Sequence, residues 1–315
     1  MLYTALALLY TALALQYLCT MKRILTRIGY GLLRLLSHLP LRVLYLMADV
    51  LRPFAWGYRR KVVIQNLRNS FPEKNERQIA MLARDFYHSF CDMVVEQIKF
   101  LTISKKEIMQ RMRFEGIEQF ETDLKEEPFV FIYMGHYGNW EWISTLALWM
   151  KEGIHTAQLY KPLHDPRIDA LFHKMRSRFG SECIDKNLAL RRIMQMKQHG
   201  QRTVIGFVSD QTPRFDSIHH WVEFLHQDTP IFTGTERIAK KVGAAVYFAE
   251  VECVKRGYYV CRFRRIEAHA SDAQGEFELT ERYMKLLEEM IIRQPRLWLW
   301  SHRRWKRKRQ DISQQ

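Results

Sequence analysis

The chain reads as an α/β fold: a central, mostly parallel sheet flanked by helices, with N-terminal membrane-associated helices ahead of it. Three observations carry this. From residue 128 onward, short apolar runs rich in β-branched and aromatic residues alternate with segments of helical period, as strands covered on both faces by helices do. Before residue 128 the apolar residues follow helical spacing. The 315 residues, 47% hydrophobic and 26% charged, suffice for one large domain or two small ones with a sizeable core.

Residues 2–19 are apolar and uncharged, near the lower length limit of a membrane-spanning helix. The hexapeptide that begins at Tyr3 recurs from Tyr10, and Met21 opens a plausible alternative start. Two alternatives stand for residues 1–20: a real anchor, or an extension outside the working protein. A cleaved signal peptide fits less well, because no positive region precedes the apolar run. Residues 24–51 are apolar and punctuated by Arg27, Arg34 and Arg42, seven and eight residues apart and so on one helical face. That is the pattern of a basic amphipathic helix lying in an interface. A helix packed on the domain with its arginines in water is the alternative, and Pro40 should kink or divide it.

Residues 74–100 follow as a helix, with Ile79, Leu82, Phe86, Phe90, Val94 and Ile98 at spacings of three and four. A short helix is expected over 104–112. Residues 129–133, bounded by Pro128 and Gly135, read as a buried strand. Then come a helix over 140–151, a strand over 155–160, a helix near 166–178 and a helix over 187–198 ending at Gly200. A strand over 203–208 leads into Ser209-Asp210-Gln211. A helix over 233–242 precedes a strand pair, 244–253 and 258–266, turning at Lys255–Gly257. The last helix is expected over 280–293.

The net charge of +15 is uneven. Residues 1–68 hold ten Lys/Arg against one acid, Asp49, and residues 303–309 hold six more basic residues; these two stretches account for the whole excess. The basic residues near the N-terminus are interleaved with Leu, Ile and Tyr, which favours an anionic membrane surface over nucleic acid. No zinc-finger spacing or RNP-type aromatic pattern supports a nucleic-acid partner. Arg303–Arg309 suits anionic headgroups, with a frayed, solvated end over 306–309 as the alternative. Trp298, Trp300 and Trp305 suit the headgroup level, with core packing the competing reading for the first two. The five cysteines are odd in number and lack a Cys-x-x-Cys, which argues against a disulfide framework and a structural zinc site. No metal site is expected, and all five read as small buried apolar residues.

His136 follows the strand over 129–133 on a turn flanked by Gly135 and Gly138, and Glu141 lies five residues on in the first turn of the next helix. In one continuous helix these two would point apart. Across the bend the carboxylate can accept the proton of one ring nitrogen, leaving the other as a base near neutral pH. Strand ends of open α/β sheets are where sites gather. By spacing alone, a His at a strand end and a Glu on a solvated face remains an open alternative.

The run Gly135-His136-Tyr137-Gly138-Asn139-Trp140-Glu141 after an apolar strand resembles the catalytic motif of the bacterial lipid A biosynthesis (late) acyltransferases, within the lysophospholipid acyltransferase-like superfamily. Further matches lie in order along residues 22–309. They are Asn66-Leu67 with Phe71-Pro72, Tyr160-Lys161-Pro162 with Asp165-Pro166, and Asp210-Gln211. Phe232–Thr235 with Gly243-Ala244, and Pro295 with Trp300–Lys306, complete the series. Lys161 stands where the family often has Arg, which makes a bidentate contact that Lys lacks. Thr212-Pro213-Arg214, and the loop 214–230 with His219 and His220, also depart from the family pattern.

The resemblance implies an O-acyltransferase that moves a fatty acyl chain from acyl carrier protein to a hydroxyl of a lipid A precursor, in lipopolysaccharide (outer-core lipid) biosynthesis. His136 would be the general base, oriented by Glu141, with no covalent acyl-enzyme and no cofactor. Asn139, Lys161, Arg176, Arg178, Asp210 and Gln211 are candidate substrate-binding residues. Backbone N–H groups near Gly138, or Arg176 or Arg178, are candidate oxyanion donors. Arg27, Arg34 and Arg42 are candidate membrane contacts at a bacterial inner membrane, with the catalytic domain facing the cytoplasm. The expected partners are acyl carrier protein, the lipid acceptor and that membrane, with no nucleic acid. The expected division is 1–58 anchoring or interfacial helices, 59–302 acyltransferase domain and 303–315 basic tail. Another lipid acceptor (a lysophospholipid, aminolipid or glycolipid) and a non-enzymatic lipid-binding protein are the alternatives.

Overall fold

The structure, a computed structural model, describes residues 29–311. Residues 29–37 are helical (α1), and Pro40 divides them from α2 (Leu41–Ala55). Arg34 and Arg42 are exposed; Arg27 and the apolar run 2–19 lie outside the described residues. No helix among the described residues is long and apolar enough to cross a membrane. The inner face of α2 (Leu41, Leu44, Tyr45, Ala48) is buried where α2 lies along α4 (Glu76–Phe100). Its outer face leaves Val43, Leu46, Val50 and Phe54 in solvent, Phe54 at 81% exposure. Between these helices lies α3 (Arg60–Ser70). A reciprocal cap starts α4: the Asn75 side chain accepts from the Gln78 N–H, and Gln78 Oε1 accepts from the Asn75 N–H.

Next come α5 (Lys105–Arg111), β1 (Met112–Glu115), α6 (Glu118–Glu126) and β2 (Phe129–Met134). All six residues of β2 are buried, as expected of a strand covered on both faces. After a turn, Trp140–Leu148 form a 3-10 helix rather than the expected α-helix. The Ser144 and Thr145 hydroxyls donate to the carbonyls of Glu141 and Trp142, three residues back (2.7 and 2.6 Å), which favours the tighter coil. The chain continues through β3 (His155–Tyr160), α7 (Pro166–Ser177), β4 (Glu182–Asp185), α8 (Ala189–Gln198) and β5 (Thr203–Val208). A two-stranded ribbon of β6 (His220–Phe224) and β7 (Gln227–Ile231) follows. Then come α9 (Gly234–Val242), β8 (Ala245–Lys255), β9 (Tyr258–Glu267) and α10 (Glu278–Arg293).

The main sheet has seven strands in the order β1-β9-β8-β2-β5-β3-β4, all neighbours parallel except β8 with β9. The chain leaves β2, builds β3 and β4 at one edge and returns to insert β5 between β2 and β3. That placement makes β2 and β5 central neighbours. Among the described residues the cysteines are free; Cys91, Cys253 and Cys261 are buried and Cys183 is half-buried.

Candidate active site

The register of the two central strands builds the site. Met134, the last residue of β2, pairs with Val208, the last residue of β5. Two residues beyond each strand stand His136 and Asp210, so their side chains meet over the carboxyl end of the sheet. Asp210 Oδ1 lies 2.5 Å from His136 Nδ1. Its Oδ2 accepts the His136 backbone N–H at 2.8 Å and the Trp298 indole N–H at 2.9 Å. Gly135 permits this approach: a Cβ there would stand 2.8 Å from Leu287 and 3.4 Å from Asp210 Oδ2.

Asp210 is 2% exposed, and burial alone would raise its pKa. The charge attraction of His136, the hydrogen bonds from its ring and backbone, and the bond from Trp298 outweigh that and hold the carboxyl at about 2. An ionised Asp210 is acceptor-only, so Nδ1 carries the ring proton and Nε2 keeps its lone pair. The Gln211 amide nitrogen stands 3.0 Å from Nε2, and the Trp140 ring meets the imidazole edge to face at 5.1 Å.

Glu141 does not orient the imidazole. Both of its oxygens are taken by Arg176, whose Nε and Nη2 donate at 2.7 and 2.6 Å. The glutamate is 4% exposed, and a bidentate guanidinium is what a carboxylate at that depth needs. The nearer carboxylate in sequence therefore pairs with α7, and the residue that holds His136 comes from β5. Arg178 donates to the carbonyls of Phe100 and Ile103 at 2.9 and 2.6 Å, tying down the end of α4, so it is not a free oxyanion donor. The Gly138 N–H, another candidate, donates to the Leu297 carbonyl at 2.9 Å. Asn139 is buried, and its amide donates to Glu96 at 2.8 Å. Lys161 is exposed on the loop after β3.

The C-terminal segment closes the site from the other side. The Leu299 N–H donates to the His136 carbonyl at 3.1 Å, and Trp298 bridges Tyr137. Trp298 and Trp300 are buried at 2% and 0% exposure, so both belong to the core and not to a headgroup layer. Trp305 packs edge-on against Trp298 at 5.8 Å. Arg304, expected in a basic tail suited to anionic headgroups, is 0% exposed and donates to the Pro230 carbonyl at 2.8 Å. Burial lowers its pKa to about 10, leaving it charged at neutral pH. Burial pushes His302 down to about 4 and keeps it neutral.

A strand-end histidine with a locked tautomer, held by a buried carboxylate over an α/β sheet, is a site suited to taking a proton from a substrate hydroxyl, the class of a group-transfer enzyme with a histidine base. The sequence pattern of the bacterial lipid A biosynthesis acyltransferases matches residues 15–307. The chain belongs to that family and is an acyltransferase. Among curated proteins none matches the chain.

Proposed function

We propose that the protein transfers a fatty acyl chain from the thioester of acyl carrier protein to a hydroxyl of a lipid A precursor at the bacterial inner membrane, with its catalytic domain on the cytoplasmic side. One observation carries the mechanism: Nδ1 of His136 is bound to Asp210, while Nε2 meets only the Gln211 amide, a side chain that can turn away. The acceptor hydroxyl gives its proton to Nε2 as its oxygen attacks the thioester carbonyl. Asp210 stabilises the imidazolium that forms. The tetrahedral intermediate collapses, the C–S bond breaks, and the proton on Nε2 passes to the departing thiolate. No acyl-enzyme forms. The Gln211 amide, already beside Nε2, is the donor best placed to turn toward the oxyanion. Glu141 acts at one remove, by fixing Arg176 beside the turn.

Membrane placement rests on the outer face of α2. Its exposed Val43, Leu46, Val50 and Phe54 form an apolar stripe, and Arg34 and Arg42 lie exposed nearby in the sequence. Apolar residues entering the headgroup layer with arginines on anionic lipid would hold the helix in the interface. The test is mass spectrometry of lipid A from a deletion strain complemented with wild-type or His136→Ala protein. Loss of one acyl chain in the deletion, restored only by wild type, is the expected result. A full acyl count in the deletion and in the His136→Ala strain would rule out this acceptor.

A further inference from the structure

Glu96, on α4, is 0% exposed and takes no part in the proton transfer described above. Three donors converge on it. Tyr45 Oη of α2 gives a bond of 2.7 Å to Oε1; the Asn139 amide and Tyr259 Oη of β9 give bonds of 2.8 and 2.9 Å to Oε2. A fully buried carboxyl is costly unless hydrogen-bonded, and here every bond comes from a different element. Asn139 is itself 1% exposed and is the residue from which the catalytic turn enters the 3-10 helix. The residue after it, Trp140, packs on the imidazole; the next, Glu141, holds Arg176. Tyr259 reinforces the same place. Its ring meets Trp142 at a right angle, 5.8 Å between centroids. It also stands where a Cβ at Gly138 would touch it at 3.4 Å, and Gly138 has a φ of +57° that side chains rarely adopt. At the exit of the turn, the Asn139 side chain is thus tied to the core through Glu96.

We infer that Glu96 is a positioning residue for acyl transfer, holding the turn Gly138–Glu141 through Asn139 so that Trp140 and His136 keep their productive geometry. This rests on His136 being the base. Without the anchor the turn relaxes and catalysis falls while substrate binding is kept, since no substrate group meets Glu96. A displacement of about 1 Å at a reacting group costs on the order of 100-fold in rate.

The experiment uses the full chain, wild type and the variants Glu96→Leu, Glu96→Gln, Asn139→Ala and Glu96→Leu with Asn139→Ala. Two quantities are read: kcat and KM with acyl carrier protein thioester as donor, and amide hydrogen exchange over residues 136–148. Glu96→Leu and Asn139→Ala should each lower kcat by about 10- to 100-fold with KM within about threefold, and each should speed exchange over 136–148. The double variant should be no worse than the worse single, because both remove one tie. Glu96→Gln, which keeps an acceptor for Asn139, should recover most of kcat. If Glu96→Leu does not fold, Asn139→Ala carries the test, since it leaves Glu96 its two tyrosines. Unchanged exchange over 136–148 in a folded variant, or additive losses in the double, overturns the inference. A wild-type chain without donor-dependent transfer, yet with faster exchange in the variants, overturns the mechanism and leaves the anchor standing.

Discussion

Replacing Asp210 by Asn separates charge and tautomer from shape. The carboxyl is held at about 2 where an unfolded aspartate has 3.8, so the folded site favours its charged form by about 2 kcal/mol. An amide cannot reproduce the bonding. Oδ2 accepts two N–H groups, from His136 and Trp298, and Oδ1 accepts the imidazole N–H. If the amide oxygen takes the Oδ2 place, its NH2 faces Nδ1 and drives the ring proton to Nε2, which abolishes the base. If it takes the Oδ1 place, the NH2 opposes two buried N–H donors, at a cost of about 1–3 kcal/mol each for the groups left unpaired. Either way kcat should fall by about 10³-fold, equivalent to about 4 kcal/mol of activation free energy. KM for the donor should change little. Steady-state rates with purified protein and acyl carrier protein thioester measure this, and a melting curve confirms that the variant is folded. A folded Asp210→Asn protein within tenfold of wild-type kcat would refute the assignment of Asp210 as the orienting carboxylate.

Arg176→Ala strands Glu141 in the interior and should cost about 3–5 kcal/mol in urea unfolding; adding Glu141→Leu should restore part of it, and a loss below 1 kcal/mol would contradict a pair required for burial. Replacing Arg34 and Arg42 by Gln should weaken sedimentation with vesicles of anionic lipid by roughly fivefold per arginine at low salt, from about 1 kcal/mol each; equal binding by wild type and variant would remove these residues from the contact. Acid unfolding should carry the mark of Asp210. Its folded pKa lies below the unfolded value, so its contribution is complete above pH 3.8 and is lost as the pH falls toward about 2. Glu96 has the opposite sign: burial, opposed by its three hydrogen bonds, raises it to about 7, so its contribution is complete below pH 4.5 and lost as the pH rises through 7. Urea unfolding from pH 2 to 8 reads both, and Asp210→Asn should flatten only the acid limb.

Much of this architecture is legible in the sequence because its signals are local. The run Phe129–Met134 is apolar throughout, Asn75 and Gln78 announce α4, and Gly138 marks a turn. Among the elements that escape, the strands are those without a local signal. β1 and β4 have four residues each, too few to show a period. The β6–β7 hairpin turns on Leu225 and His226, both with positive φ (50° and 58°), where a Gly or Asn would have advertised the turn. The error at the site has the same origin. Glu141 is near His136 in sequence, but Asp210 is 74 residues away and becomes its neighbour through the pairing of β2 with β5. One clue was present: each residue stands two positions after a strand of the same apolar kind, and central parallel neighbours bring such positions together.

The seven residues from Gly135 to Glu141 answer to three buried carboxylates, which divide the work by partner. Asp210 binds the imidazole and, on the proposed mechanism, governs proton transfer. Glu141 binds Arg176, a compensated ion pair whose loss is felt first in stability. Glu96 binds Asn139 and two tyrosines, groups without charge of their own, so its loss is felt in the placement of the turn. The partners therefore predict three different signatures from three changes to carboxylates lying around one short turn. Asp210→Asn should lower kcat while leaving urea stability at pH 7 reduced by no more than about 3 kcal/mol. Breaking the Glu141–Arg176 pair should reduce stability by more than it reduces kcat in the protein that remains folded. Glu96→Leu should lower kcat and loosen residues 136–148 together. If all three changes scale stability and kcat in parallel, the turn is a single cooperative unit and the division of roles among the carboxylates is wrong.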